Sequence, residues 1–458
     1  MWKKWQLLFH ATDFQSLMYP CFTFSSVLGI FPYKINGLTF ETSKQRYILA
    51  IFILGIFSIY VLVVLYEINI AGTIDVGNVP KALERNSLYI SANFMAVVAY
   101  VLSGSRMNLL QTIMNVSSKL PLNTYGKLSK LIHAKDILGF FLLIIIEVFY
   151  CTRLNFTWYK VPVLYINLMA FQMDMLYMNC VCILKACFKR IDDNLVNLRE
   201  LVINDEPHLL RRIYHEHKNA FLLMEFKALK KQHLAISDTV QMLNTVFSLH
   251  ILASIIITFS QLTFHLYYYI TEWRFSVSEN STFDLFFHVS LMVHTTIHCI
   301  KIILIVWACE TGKDRAVKIG ITVHDLLNNT SDKEITEELQ LFSVQILHRK
   351  NVFSAKGLIM DVTLLIAIVS NVSTYLLILV QFFITCIKIT LMGWACDTSK
   401  DEAMGIGTTV HKILNDTIDE QIKDELQLFS LQVLQRENTF SAKGLIVDAT
   451  LLVGINSE

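Results

Sequence analysis

Charge is what this sequence has least of. Only 17% of its 458 residues are Asp, Glu, Lys or Arg, against roughly 25% in an ordinary water-soluble domain. The charges nearly cancel, leaving a formal net charge of +1, so no global field exists to gather nucleic acid. Cysteine is present but unorganised. Cys180, Cys182, Cys187, Cys299 and Cys309 sit in apolar runs as small hydrophobes, and the nine cysteines form neither a disulfide framework nor a zinc pattern. A Gly-rich phosphate loop, a nucleophile elbow and paired catalytic carboxylates are all missing, which argues against an enzyme. The opening MWKKWQLLFHATDF has no apolar core or small-residue cleavage site, so no signal peptide is expected. What remains is hydrophobic: 54% of residues, with a mean hydropathy of +0.48. That composition predicts an integral membrane protein.

Seven apolar stretches punctuate the chain: 47–66, 88–102 (short, and expected to extend backwards), 133–151, 161–188, 240–270, 283–309 and 357–382. About 20 helical residues cross a bilayer, so the expectation is an all-α, polytopic membrane protein with seven transmembrane helices. Basic residues set the orientation. Segments 1–46, 103–136, 189–231 and 310–356 hold 26 Lys and Arg, whereas 67–87, 152–160 and 271–282 hold five. This bias puts the N-terminus in the cytosol. The sequons at Asn155 and Asn280 then fall outside, where glycosylation occurs, although Asn155 is close to the membrane. The orientation is opposite to that of G-protein-coupled receptors. No Asp-Arg-Tyr ends the third span, and no Asn-Pro-x-x-Tyr lies in the seventh.

The segment Lys189–Lys231 is charged yet carries Ile191, Leu195, Leu198 and Val202 at helical spacing up to Pro207. The fourth and fifth spans are therefore expected to run on into the cytosol as long helices. Ser331-Asp332-Lys333-Glu334 reads as a capping box with Ser331 as N-cap. Ile335, Leu339, Phe342 and Ile346 then share one face, which needs a partner in the neighbouring helices or in another subunit.

Charges inside spans cost at least about 2.5–3.5 kcal/mol, so Glu147 and Asp174 are expected either to be paired or to contact a ligand. Tyr89, Asn93, Glu147, Trp158, Asn167, Gln172, Gln261, His265, Phe286 and His288 are candidates for a pocket open to the outside. His294 and His298 share a helix face, but a histidine-box di-iron enzyme needs several such boxes. His215 and His217 point to opposite faces. No metal and no cofactor are expected.

The stretch 357–382 carries a polar stripe, since Thr363, Ser370, Thr374 and Gln381 are spaced 7, 4 and 7. Such a stripe either lines a wet path or glues a bundle. Its end, Thr374-Tyr375, five aliphatics, then Gln381-Phe382, resembles the TYhhhhhQF signature closing the seventh helix of insect gustatory receptors. The lead-in 14–33 and the run ELQLFS…FSAKGLI (338–359) are also similar to that family, closest to its branch related to fructose receptors. The resemblance covers residues 1–382 and implies a tetrameric, ligand-gated, non-selective cation channel in the plasma membrane of sensory neurons. It implies a small-molecule tastant (sugar, amino acid or bitter compound) and homo- or heterotetramers with other gustatory receptor subunits. Gln381 and Phe382 would form the outer gate, with Thr374 and Tyr375 about two turns below and Thr363 and Ser370 deeper. The helix bearing Ile335, Leu339, Phe342 and Ile346 would hold subunits together. A secondary transporter relaying ions through Glu147 and Asp174 is the rival reading; it would call for repeated spans in the two halves.

The only repeat is terminal. Residues 299–368 align without a gap onto 386–455, with 44 of 70 positions identical. Two copies make no solenoid. The expected layout is thus a cytosolic or interfacial 1–46, spans and pocket in 47–309, a loop and anchor helix in 310–356, the pore helix 357–382, and 383–458 as a partial second copy of the 296–371 region.

Overall fold

The computed structural model describes residues 9–37, 39–74, 79–153, 161–203, 211–276, 282–330, 332–435, 441–442 and 445–446. Two compact units divide between Val372 and Ser373, inside the last apolar stretch.

The first unit opens with α1 (Phe14–Val27), started by a reciprocal cap. Asp13 Oδ1 accepts from Ser16 N at 2.7 Å, and Ser16 Oγ accepts from Asp13 N at 3.1 Å. The chain reverses at Gly29, where φ is +74°, a left-handed conformation that favours glycine. A short antiparallel hairpin, β1 (Tyr33–Asn36) and β2 (Thr39–Thr42), leads into α2 (Lys44–Tyr66) and a single π-helical turn at Glu67–Ala71. Helices α3 (Val79–Val101) and α4 (Ser103–Ser117) meet at a 61° bend. They are followed by α5 (Leu122–Arg153), α6 (Val161–Ile203), α7 (Arg211–Ser276) and α8 (Thr282–Asn329).

Helix α6 is the axis of this unit. It packs against α5, α7 and most extensively α8, and 94% of its apolar window is buried. Helix α2 is its opposite, with 22% of the corresponding window buried and Ile48, Phe52, Ile59 and Leu62 exposed. Apolar surface of that kind is stable only against lipid or another chain. At 66 residues, α7 is about 100 Å long, far beyond a bilayer's roughly 30 Å. The long extensions expected of the fourth and fifth apolar stretches are therefore present, although Pro207 lies outside the described residues.

Six of the seven apolar stretches lie in helices, apart from Leu102 at the α3–α4 bend; the seventh is helical only from Val362, its first residues forming a turn and a short strand. Among the described residues, four helices are long and apolar enough to cross a membrane, or five with the bent pair counted as one. Val362–Tyr375 is a shorter apolar helical stretch.

Next comes α9 (Lys333–His348), where the structure corrects the expected cap. Asp332, not Ser331, is the N-cap: its Oδ1 accepts from Glu334 N at 3.0 Å and Ile335 N at 3.1 Å. A carboxylate at this position satisfies two otherwise unpaired amides and the helix dipole together. A two-residue-stranded hairpin, β3 (Ser354–Ala355) with β4 (Leu358–Ile359), then turns the chain into α10 (Val362–Asp416).

The second unit begins within α10 at Ser373. It continues through α11 (Glu420–Gln435) and the hairpin β5 (Ser441–Ala442) with β6 (Leu445–Ile446).

Candidate functional site

Two polar clusters are enclosed by the helices of the first unit. The first is built on Asp174, a lone acid in the buried run FQMDMLY of α6. Ser254 of α7 donates to its Oδ2 at 2.6 Å, Lys301 Nζ of α8 lies 3.0 Å from the same oxygen, and His250 Nε2 of α7 lies 3.4 Å from Oδ1. Lys301 Nζ also donates to Ser254 Oγ at 3.2 Å. All four residues are buried, so each group compensates the desolvation of the others. The sequence reading named Asp174 but missed its partners. One signal was available, because Lys301 is a lone cation in the apolar run HCIKIILIVW, as Asp174 is a lone anion.

The second cluster gathers several of the expected pocket residues. Glu147 of α5 accepts from Asn167 Nδ2 of α6 and lies 3.2 Å from His294 Nε2 of α8. His265 of α7 lies 3.3 Å from Thr295 Oγ1 and 3.9 Å from Glu84 of α3. Its ring is 6.3 Å from that of His294 and 6.1 Å from that of His298. Glu147, Asn167, His294, His298 and Lys301 share a cavity of about 30 Å3 with apolar residues such as Leu143, Phe171 and Ile257. That is room for about two waters, whereas a drug-sized ligand needs about 300 Å3 or more.

Other candidates lie elsewhere. Tyr89 is buried in a separate apolar cluster with Phe57, Val61, Met95, Ile166 and Ile257. Asn93 of α3 accepts from Ser58 Oγ of α2 at 2.8 Å. Gln172 Nε2 donates to the Cys21 carbonyl at 2.9 Å and so fastens α1 to α6. Gln261 is buried on α7. Trp158, Asn155 and Asn280 lie outside the described residues, as do the side chains of Phe286, His288 and Phe382.

The expected pore stripe is exposed, as is most of its helix, including Ile366, Val369, Leu377 and Ile378. Thr363, Ser370, Thr374, Tyr375 and Gln381 of α10 are all exposed, while Leu364 is buried. Thr363 also helps start the helix, its N donating to Asp361 Oδ1 at 3.0 Å. The subunit-anchor assignment needs correction. Ile335, Leu339 and Phe342 are buried and Ile346 half-buried against the core of their own chain, where α9 packs on α7 and α8. An apolar stripe beside two long helices of the same chain closes there first, because no association entropy is lost.

The family profile described as 7tm Chemosensory receptor matches residues 18–385. The chain belongs to that family. Chains from Drosophila melanogaster named gustatory receptor 28b and gustatory receptor 28a are similar to parts of this receptor. The first is 34% identical over 152 residues (33% of this chain, 32% of that protein), and the second 31% identical over 164 residues (35% and 36%). The matched stretches thus span about a third of these relatives' own length. Among solved structures, the insect olfactory receptor OR5 from Machilis hrabei superposes with a TM-score of 0.59 at 12% identity. It covers 80% of this chain and 97% of that one. The same receptor in complex with eugenol gives 0.56 at 12% identity, covering 80% and 98%. At that identity the likeness is one of fold. The chemosensory receptor is therefore an all-α, multi-pass membrane protein.

Proposed function

We propose that this chemosensory receptor is one subunit of a tastant-gated, non-selective cation channel in the plasma membrane of a sensory neuron. In this reading seven spans cross the membrane, the N-terminus is cytosolic, and four copies of α10 surround the pore. The observation that carries the proposal is the polar stripe along the exposed helix α10. Ser370, Thr374 and Gln381 are exposed, whereas the polar residues Glu147, Asp174 and Lys301 of α5, α6 and α8 are buried against partners. A polar stripe along a membrane helix suits a water-filled path or a contact between helices better than lipid. A fourfold pore supplies both. The 26-to-5 distribution of basic residues supports the orientation.

The tastant enters at the cluster of Glu147, Asn167, His265 and His294, whose cavity widens as it binds. The olfactory receptor that shares this fold was solved with eugenol, which supports a small-molecule ligand. Gln381 and Phe382 form the outer gate. Leu341, Val344 and Leu347, three exposed residues on the far face of α9, hold neighbouring subunits in place of the buried stripe. The transporter reading loses ground because Asp174 is engaged by a buried lysine rather than free to relay ions.

Cysteine substitution with current recording tests this. Cysteine at Ser370, Thr374 or Gln381 should let a water-soluble thiol reagent change ligand-evoked current, and cysteine at the buried Leu364 should not. Equal modification at all four, or none, rejects the pore face.

A further inference from the structure

Five cations at the basic end of the first unit are paired with acids. Lys318 lies 2.9 Å from Asp192, Arg349 3.0 Å from Asp238, Lys313 3.3 Å from Glu310 and Arg199 3.8 Å from Asp325, and Lys230 pairs with Glu338. A second set converges on one cavity instead. Among the described residues, Lys127, Lys189, Arg190 and Arg315 have no carboxylate within ion-pair distance, and all four line a single cavity of about 430 Å3. Lys185 completes the ring. Its Nζ donates to Thr311 Oγ1 at 2.8 Å and lies 4.7 Å from the centre of the Trp307 ring, so a hydroxyl and an aromatic face hold it instead of an acid. Against these five cations the cavity presents one carboxylate, Asp193.

The cavity sits at a particular level. Its residues from α5 precede the apolar stretch starting at His133, while those of α6 and α8 straddle stretch ends at Phe188 and Cys309. That is the depth of lipid headgroups. One wall is apolar, with Leu131 and Trp307 both exposed, and tryptophan favours this layer. Uncompensated cations in a pocket of ligand size, beside an apolar lip, match a multiply phosphorylated headgroup carrying acyl chains. We propose that this cavity binds the phosphorylated inositol headgroup of an anionic lipid, its phosphates on Lys189, Arg190 and Arg315 and its glycerol end against Trp307. The lipid belongs to the inner leaflet on the orientation proposed above, but the binding itself does not depend on that orientation or on channel activity.

The test uses the full chain purified in detergent and three probes: dioctanoyl phosphatidylinositol bisphosphate, inositol trisphosphate and dioctanoyl phosphatidylcholine. Binding is read by native mass spectrometry and thermal shift. The bisphosphate lipid should bind and phosphatidylcholine should not. Lys189→Gln or Arg315→Gln should each weaken binding about fivefold, and the pair about 25-fold. Lys313→Gln, whose cation is already paired with Glu310 outside the cavity, should change nothing. Trp307→Ala should weaken the lipid more than inositol trisphosphate. Equal affinity for both phosphorylated probes, lost together in the double variant, would keep the site and make its ligand a soluble phosphate. Undiminished binding by the folded double variant, or phosphatidylcholine binding as tightly as the bisphosphate lipid, overturns the proposal.

Discussion

The receptor contains two copies of one 16-residue helix, nine positions identical, and their settings differ. Helix α9 and helix α11 start on equivalent aspartates. Asp332 Oδ1 accepts from two amides at 3.0 and 3.1 Å, and Asp419 Oδ1 from two at 2.9 and 3.4 Å. Each is followed by a hairpin with the same pairing, Ser354 to Ile359 in one and Ser441 to Ile446 in the other. Burial is where they part. Ile335 is 2% exposed and its counterpart Ile422 52%; Phe342 is 0% exposed and Phe429 44%. Local sequence is enough to place a cap, a helix and a turn. It does not decide whether the apolar face finds a partner.

The sharpest way to break the comparison is to remove the matched aromatics. Phe342→Ala deletes a fully buried ring and should cost about 3–5 kcal/mol, seen as a large loss of thermal stability or of surface expression. Phe429→Ala should stay within about 0.5 kcal/mol. Comparable losses would mean that α11 is covered in the working protein.

The next effect is pH-dependent and belongs to α9 alone. His233, on α7 ahead of the apolar stretch, lies 3.0 Å from Gln345 of α9 and faces the ring of Phe342. Burial, and then the nearby Arg349, push its pKa down to about 4 from its ordinary 6.5. The unfolded chain takes up this proton as pH drops through about 6.5, and the folded chain only near 4. Stability from the neutral ring is therefore complete above pH 6.5 and is lost progressively towards pH 4. The melting temperature of the purified receptor should fall across that window more steeply than that of a His233→Gln variant. Parallel profiles would remove His233 from the account.

The smallest contrast is an expected equality. Asp332→Ala and Asp419→Ala each remove an N-cap and should each lower the stability of their own helix by about 1 kcal/mol. Hydrogen exchange at the first-turn amides would read both. A much larger loss at Asp332 would show that its bond from Asn219 Nδ2, at 2.7 Å, matters more than the cap.

The same division runs through what the sequence made legible. Helices, their long extensions, the apolar stripe of α9 and the polar face of α10 follow from spacing alone. The cap of α9 was displaced by one residue because Ser331 and Asp332 are both good cap formers, and spacing cannot choose between neighbours. Gln172 looked like a pocket residue because it is polar within a span. Its partner is a backbone carbonyl at Cys21, and no side-chain pattern advertises a carbonyl. Asp174 and Lys301 are separated by most of the bundle in sequence, and only the packing of α6 on α8 joins them. The candidate pocket draws on α3, α5, α6, α7 and α8, so its membership depended on helix order around α6, which composition does not encode.

Helix α7 has a mechanical consequence. It carries His265 of the enclosed histidine cluster at one end and His233 of the α9 junction at the other, on one unbroken rod. About 48 Å of helix separates the two. Pivoted at its far end, such a rod turns a tilt of about 5° into about 4 Å of travel, by the same rise per residue. A change that tilts α7 about its His265 end would thus reach the α9 junction as displacement, without a hinge between.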